Sequence, residues 1–210
     1  MLQDTPLQDN IISTETVYHG FVWDVVKEDF TLGSDKISRE FVKHTGAVAV
    51  LALNTNNEVF LIKQYRHPVR RKEWEIPAGL LDVKDEDPCT AAKRELWEEA
   101  DLEAKKWNVL IDYYTTPGGN NEAIRIFLAQ DVSEVKEKFA RFDEEAHMET
   151  GWFPLEEVVE AIVQGRVHNP SLCLGIMTLE YHKKAGTLNQ LQKPDVPFEI
   201  HIPSDKVIDH

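Results

Sequence analysis

Apolar residues recur along this chain with two periods, one of two residues and one near 3.6. The switches between them divide the chain into elements. Residues 47–53 (AVAVLAL) form an unbroken apolar run, 54–58 (NTNNE) an asparagine-rich turn, and 59–65 (VFLIKQY) a second apolar run. Together they predict a buried hairpin near the centre of a mixed sheet. Upstream, 15–32 is rich in β-branched and aromatic residues with Gly20 as a turn, and 37–44 alternates. These pieces predict a small antiparallel sheet of their own, preceded by a poorly anchored leader over 1–15. Downstream, 107–114 and 123–130 read as strands joined by the loop 115–122, and 152–155 as the last strand. The charged stretch 131–142 reads as loosely helical. Helical spacing returns over 156–164, ended by Gly165, and over 171–184, where Asn169-Pro170 starts the helix and Leu172, Ile176 and Leu179 form its core face. From 186 to 210 periodicity fades among Pro194, Pro197 and Pro203, which predicts a tail with one short strand at 198–202. The chain thus divides into an N-terminal sheet region (1–44), a main domain (45–185) and a tail (186–210). No internal repeat or low-complexity segment interrupts it.

The most informative helix begins at Asp87, a good N-cap residue, followed by Pro88 at the first helical position. Cys89, Ala92, Leu96 and Ala100 make a narrow apolar stripe. Glu95, Glu98 and Glu99 fall within an arc of about 100° beside it, expected on an exposed face. Like charges one turn apart oppose helix formation, and Arg94, four residues before Glu98, offsets part of that repulsion. Such a patch of hard oxygen ligands suits Mg²⁺ or Mn²⁺; the plainer alternative is a solvated acidic face. Just upstream, Pro77-Ala78-Gly79 is a tight turn able to bring the Ala78 carbonyl to the same cations, and Glu86 is a further acid. Arg66, Arg70 and Arg71 cluster before that turn, and guanidinium groups bind phosphate in a bidentate manner.

Glu86, seven residues, Arg94-Glu95-Leu96-Trp97-Glu98-Glu99, then Leu102 resembles the Nudix box of the Nudix hydrolases. Two positions depart from it. Six residues rather than five separate Gly79 from Glu86, and Asp101 stands where the box has its second glycine. That glycine serves as a helix C-cap, a left-handed position that Asp tolerates. Neither departure touches a ligand position. The resemblance implies an α/β (α+β) fold, an α/β/α sandwich with a mixed central sheet, plus the small N-terminal antiparallel sheet. The run Gln64-Tyr65-Arg66 to Trp74-Glu75-Ile76-Pro77-Ala78-Gly79 resembles the ADP-ribose pyrophosphatase branch. So does Pro117, fifteen residues after Leu102. By that resemblance Ala78, Glu95, Glu98 and Glu99 hold Mg²⁺ or Mn²⁺, with Glu98 also counted among the catalytic residues. Arg66, Glu75, Arg70, Pro117 and Gly118 meet the substrate. Trp74 belongs to the core. In the acidic run 142–149 (FDEEAHME), Glu144 first and Glu145 second serve as ligand or base on a loop over the pyrophosphate; by composition alone the run is a mobile acidic loop. The reaction implied is hydrolysis of ADP-ribose to AMP and ribose 5-phosphate. The alternatives are another nucleoside diphosphate sugar as substrate, or a non-catalytic nucleotide-binding regulator. The N-terminal sheet is expected to reach across to a second subunit in a homodimer.

Composition narrows the partners. The 210 residues are 42% hydrophobic, enough for a real core, and carry a formal net charge of −14. That charge argues against non-specific binding to nucleic acid or anionic membrane. An anionic substrate therefore needs local cations or arginines. Cys89 and Cys173 lie far apart in apolar helical contexts and read as reduced core residues, and no His/Cys cluster has zinc-site spacing. The polar, acidic N-terminus lacks signal-peptide character and no apolar run approaches a membrane span, so a reducing cytoplasm is the expected location.

Overall fold

The structure is a computed structural model that describes residues 2–7, 10–140 and 148–202. Three strands, β1 (Asn10–His19), β2 (Asp24–Leu32) and β3 (Asp35–Lys43), form an antiparallel sheet in the order β1-β2-β3. β1 starts at Asn10, inside the expected leader, because β2 offers it a ladder from Asn10↔Thr31 to His19↔Asp24, interrupted by register shifts at Ile11/Ser13 and Thr16/Tyr18. All ten residues of β1 are exposed.

The main domain has two sheets. One runs β7 (Ala78–Leu80), β4 (Ala47–Ala52), β9 (Ala123–Glu134), β8 (Leu102–Tyr114), and the other runs β10 (Glu149–Pro154), β5 (Glu58–Arg66), β6 (Arg71–Glu75). β4 lies antiparallel to β7 and parallel to β9, so the first sheet is mixed. Alternation along β4 and β9 sorts their side chains onto two faces. Ala47, Ala49, Leu51, Ile124, Ile126 and Leu128 meet α2 (Leu155–Val163) and α3 (Pro170–Ala185) through Leu155, Val158, Leu172, Ile176 and Leu179. Val48, Val50, Phe127 and Ala129 face the opposite way, onto α1 (Pro88–Ala100) through Ala91, Ala92 and Leu96. The result is the expected α/β/α sandwich.

The central hairpin differs from expectation. Its turn forms: the Asn54 side chain accepts from the amides of Asn56 and Glu58, Asn57 is left-handed, and Leu53 bridges Val59. Beyond that bridge the two strands part into different sheets. A strand has only two edges, and those of β4 are taken by β7 and β9, which leaves β5 to pair with β6 and β10. Residues 131–134 are likewise not helical. They extend β9 against the first residues of β8, and among the described residues 135–140 no helix follows. The expected strand at 198–202 is a set of turns. The tail instead lies across the domain: Gln192 bridges Val109, and the buried Arg125 donates to the carbonyls of Val196 (2.6 Å) and Pro197 (2.8 Å). No helix among the described residues is long and apolar enough to cross a membrane.

Candidate active site

α1 begins as the sequence predicts. The Asp87 carboxylate accepts from the amides of Cys89 and Thr90, and Pro88 opens the first turn. Asp101 ends it in the left-handed conformation (φ 55°, ψ 34°), which accounts for Asp where a glycine is usual. Because Ala91, Ala92 and Leu96 are fully buried against the sheet, the neighbouring carboxylates are drawn in with them. Glu95 is 7% and Glu99 6% exposed, so the expected exposed acidic face is wrong for these two, and Glu98 alone of the three is partly exposed.

The buried carboxylates sit against β7 itself: the tight turn expected at Pro77-Ala78-Gly79 is extended chain, because Ala78 and Gly79 pair with Ala49 and Val48 of β4. Glu99 Oε2 accepts the amide hydrogen of Ala78 (2.8 Å). A Cβ placed on Gly79 would fall 2.1 Å from the Glu95 carboxyl carbon, so a larger residue there would push that carboxylate out of its place. Arg94 gathers the rest. Its guanidinium donates to both oxygens of Glu86 (3.2 and 3.0 Å), to Glu95 (2.5 Å) and to Glu98 (3.2 Å). Partial burial works against its charge, but the bond to Glu86 and the attraction of Glu95, Glu86 and Glu98 hold its pKa above the ordinary value.

Glu75 ends β6 and is 2% exposed. Arg66 clamps it with two bonds (2.9 and 2.7 Å), and Gln64 adds a third contact (3.3 Å). The bond to Glu75 raises the Arg66 pKa against the cost of burial, and attraction from Glu75, Glu99 and Glu73 adds to it. Arg66 therefore lies within the field of the box helix, its side chain 45% exposed and its inner edge committed to Glu75. Arg70, with φ 53°, sits exposed in the turn between β5 and β6. Trp74 points to the opposite face of its sheet and packs edge-on against Phe153 (4.8 Å), the core position expected of it.

Other candidates are placed elsewhere. Pro117 and Gly118 lie on the β8–β9 loop, which docks on β3 where the Val42 amide donates to the Gly119 carbonyl (3.0 Å). Glu144 and Glu145 lie outside the described residues. The expected metal ligands fit a divalent cation in their chemistry: three carboxylates and a backbone carbonyl supply only hard oxygen donors. Among the described residues, no three His, Cys, Asp or Glu side chains stand as a formed metal cluster. Arg94 engages one oxygen each of Glu95 and Glu98. Two contributors escaped sequence reasoning. Gln64 shares a strand face with Arg66, two residues away, which was a usable signal. The role of Arg94 as the hub of Glu86, Glu95 and Glu98 had only its helical spacing to Glu98 as a signal.

The NUDIX domain pattern matches residues 43–171, and the chain belongs to that family. It is 38% identical over 169 residues to an ADP-ribose pyrophosphatase of Mycobacterium tuberculosis (strain ATCC 25618 / H37Rv), covering 80% of this chain and 81% of that protein. It is 37% identical over 175 residues to an ADP-ribose pyrophosphatase of Bacillus subtilis (strain 168), covering 83% and 94%. A crystal structure titled as an ADP compounds hydrolase superposes with a TM-score of 0.68 over 89% of this chain and all of that one. At 20% identity it speaks for the fold alone.

Proposed function

We propose that this protein hydrolyses the pyrophosphate bond of ADP-ribose, releasing AMP and ribose 5-phosphate. The observation that carries the reading is the seat of the box helix. Two buried glutamates, Glu95 and Glu99, lie against Ala78 and Gly79 of β7, with the Glu75–Arg66 pair nearby. Such buried acids are costly to assemble without a cationic partner, and their grouping suits a function rather than a solvated surface.

Glu95, Glu98, Glu99 and the Ala78 carbonyl would hold the divalent cation, Mg²⁺ or Mn²⁺. When bound it would neutralise phosphate charge and lower the pKa of water. Arg66 offers its exposed edge to a phosphate while Glu75 fixes the guanidinium plane, and Arg70 adds charge from the hairpin turn. A carboxylate at Glu144 or Glu145 takes the proton of the attacking water. The water oxygen bonds to one phosphorus as the bridging P–O bond breaks, and the leaving phosphate keeps that electron pair. The Pro117-Gly118 turn contacts the ribose side.

Residues 45–185 form the catalytic unit and 1–44 the dimerising sheet of a homodimer. Exposed Ile11, Ile12, Tyr18 and Phe21 support that role, since they leave apolar surface for a second copy to cover. Two free cysteines suit a cytoplasmic location. The test is turnover of ADP-ribose, other sugar nucleotides and dinucleotides with Mg²⁺. ADP-ribose should be the best substrate, and faster hydrolysis of another sugar nucleotide would replace it.

A further inference from the structure

The loop 115–122, which carries Pro117 and Gly118, is held by a network outside the box. His44 is buried (5% exposed), with Trp23 stacked on its ring at 5.3 Å. The Gly46 amide donates to His44 Nδ1 (3.0 Å). Nδ1 therefore carries no hydrogen, and the neutral ring holds its hydrogen on Nε2, 3.2 Å from Glu122 Oε1. The other oxygen of Glu122 accepts from the Thr115 hydroxyl (2.6 Å), closing the loop at its two ends. The backbone amide of His44 donates to the Asn121 side chain (2.7 Å), and Asn120 accepts from the Glu122 amide (3.1 Å). His201, from the tail, donates to the Thr45 carbonyl (2.7 Å), in the space a Cβ on Gly46 would occupy. The tip of the loop stands apart from this. A Cβ on Gly118 or Gly119 would meet nothing within 4 Å.

We propose that His44 and Glu122 are positioning residues: they clamp both ends of the 115–122 loop to the end of β3, and so set where its open tip meets the substrate. The proposal rests on the reading of Pro117 and Gly118 as substrate contacts. The seat of the ring on Gly46, though not its bond to Glu122, requires a neutral imidazole. A second hydrogen, on Nδ1, would point at the Gly46 N–H and break the bond to Gly46. Burial of the ring favours the neutral form most, His201 and the Gly46 N–H aimed at Nδ1 act the same way, and Glu122 favours the charged form. Loop position, and with it substrate affinity, should therefore weaken on acidification.

The experiment combines steady-state kinetics with amide hydrogen exchange of the unliganded protein. Glu122→Ala should raise the KM for ADP-ribose about tenfold, the usual scale for losing a hydrogen bond to a charged group, with kcat changed less than about twofold. It should also speed exchange across residues 115–122. Glu122→Gln keeps an oxygen for His44 Nε2–H and an amide for Thr115, and should restore both readouts. In the wild type KM should climb as pH falls from about 7 to 5, and in His44→Gln that climb should flatten. Unchanged exchange in Glu122→Ala overturns the clamp. Faster exchange with unchanged KM overturns its role in substrate positioning. A wild type that turns over no ADP-ribose defeats the functional reading separately, and the exchange result still decides the clamp.

Discussion

Two arginine clusters in this protein use the same bonds toward different ends. Arg125, near the start of β9, is 1% exposed. It donates to both oxygens of Asp112 (2.8 and 2.7 Å), to two tail carbonyls, and lies over the Phe198 ring at 4.6 Å. Its donors point at groups of this chain, and it ties the tail to the sheet. Arg66 makes an equally short pair with Glu75, but its side chain is 45% exposed. Arg94 is partly exposed and divided among three carboxylates. A guanidinium sealed inside serves the fold. Arg66, half satisfied by its own chain and half open, would keep a directed charge for a ligand under the proposed function.

The largest expected effect probes the open side. Glu99→Gln retains an acceptor for the Ala78 amide but removes the charge, so Mg²⁺-dependent turnover should fall about 10³-fold, the scale of losing a key electrostatic group. The fold, followed by circular dichroism, should survive. Full activity of this variant would refute the metal assignment. Arg125→Met tests the sealed side. It strands Asp112 and two carbonyls, and breaking a buried pair costs about 3–5 kcal/mol. Urea unfolding should show that loss, while activity per folded molecule holds. If instead turnover drops with stability intact, the two clusters are not divided in this way.

Arg66→Lys comes next. It keeps the charge but cannot clamp Glu75 with two bonds, so KM should rise about tenfold with a smaller change in kcat. Acidification gives a smaller effect. Burial pushes the His44 pKa below its ordinary 6.5 despite attraction from Glu122. Between the two values the unfolded chain binds more protons than the native one, so stability falls as pH drops below 6.5 and levels off under the native pKa. His44→Gln should flatten that slope in thermal melts across pH. The smallest effect belongs to Lys184, paired with Glu180 one turn away (2.9 Å) on the surface of α3. Lys184→Ala should shift stability by less than about 0.5 kcal/mol. A larger loss would mean that exposure is a poor guide to what these pairs contribute.

Much of this was legible from local patterns. Asp87-Pro88 and the stripe Cys89, Ala92, Leu96, Ala100 specify α1 because capping and periodicity act within a few residues. The alternation in 123–130 likewise specifies a strand, and the loop 115–122 falls where it was expected. The separation of β4 from β5 was not legible. An apolar hairpin looks the same whether its strands pair throughout or part after one bridge, and the outcome depends on which distant strands take their edges. The strand at 131–134 was hidden for a similar reason: its charged residues gain a ladder only because β8 runs on beside them.

The amino-acid order by itself determined the helix, its caps, the acid spacing and the family they mark, since each depends on neighbours within one or two turns. Only the tertiary structure decided that Glu95 and Glu99 are buried, that Gly79 packs against the Glu95 carboxylate, that Arg66 is clamped to Glu75, and that His44 meets Glu122 across 78 positions of chain. Those facts depend on packing between segments far apart in the chain, and no local period records such a meeting.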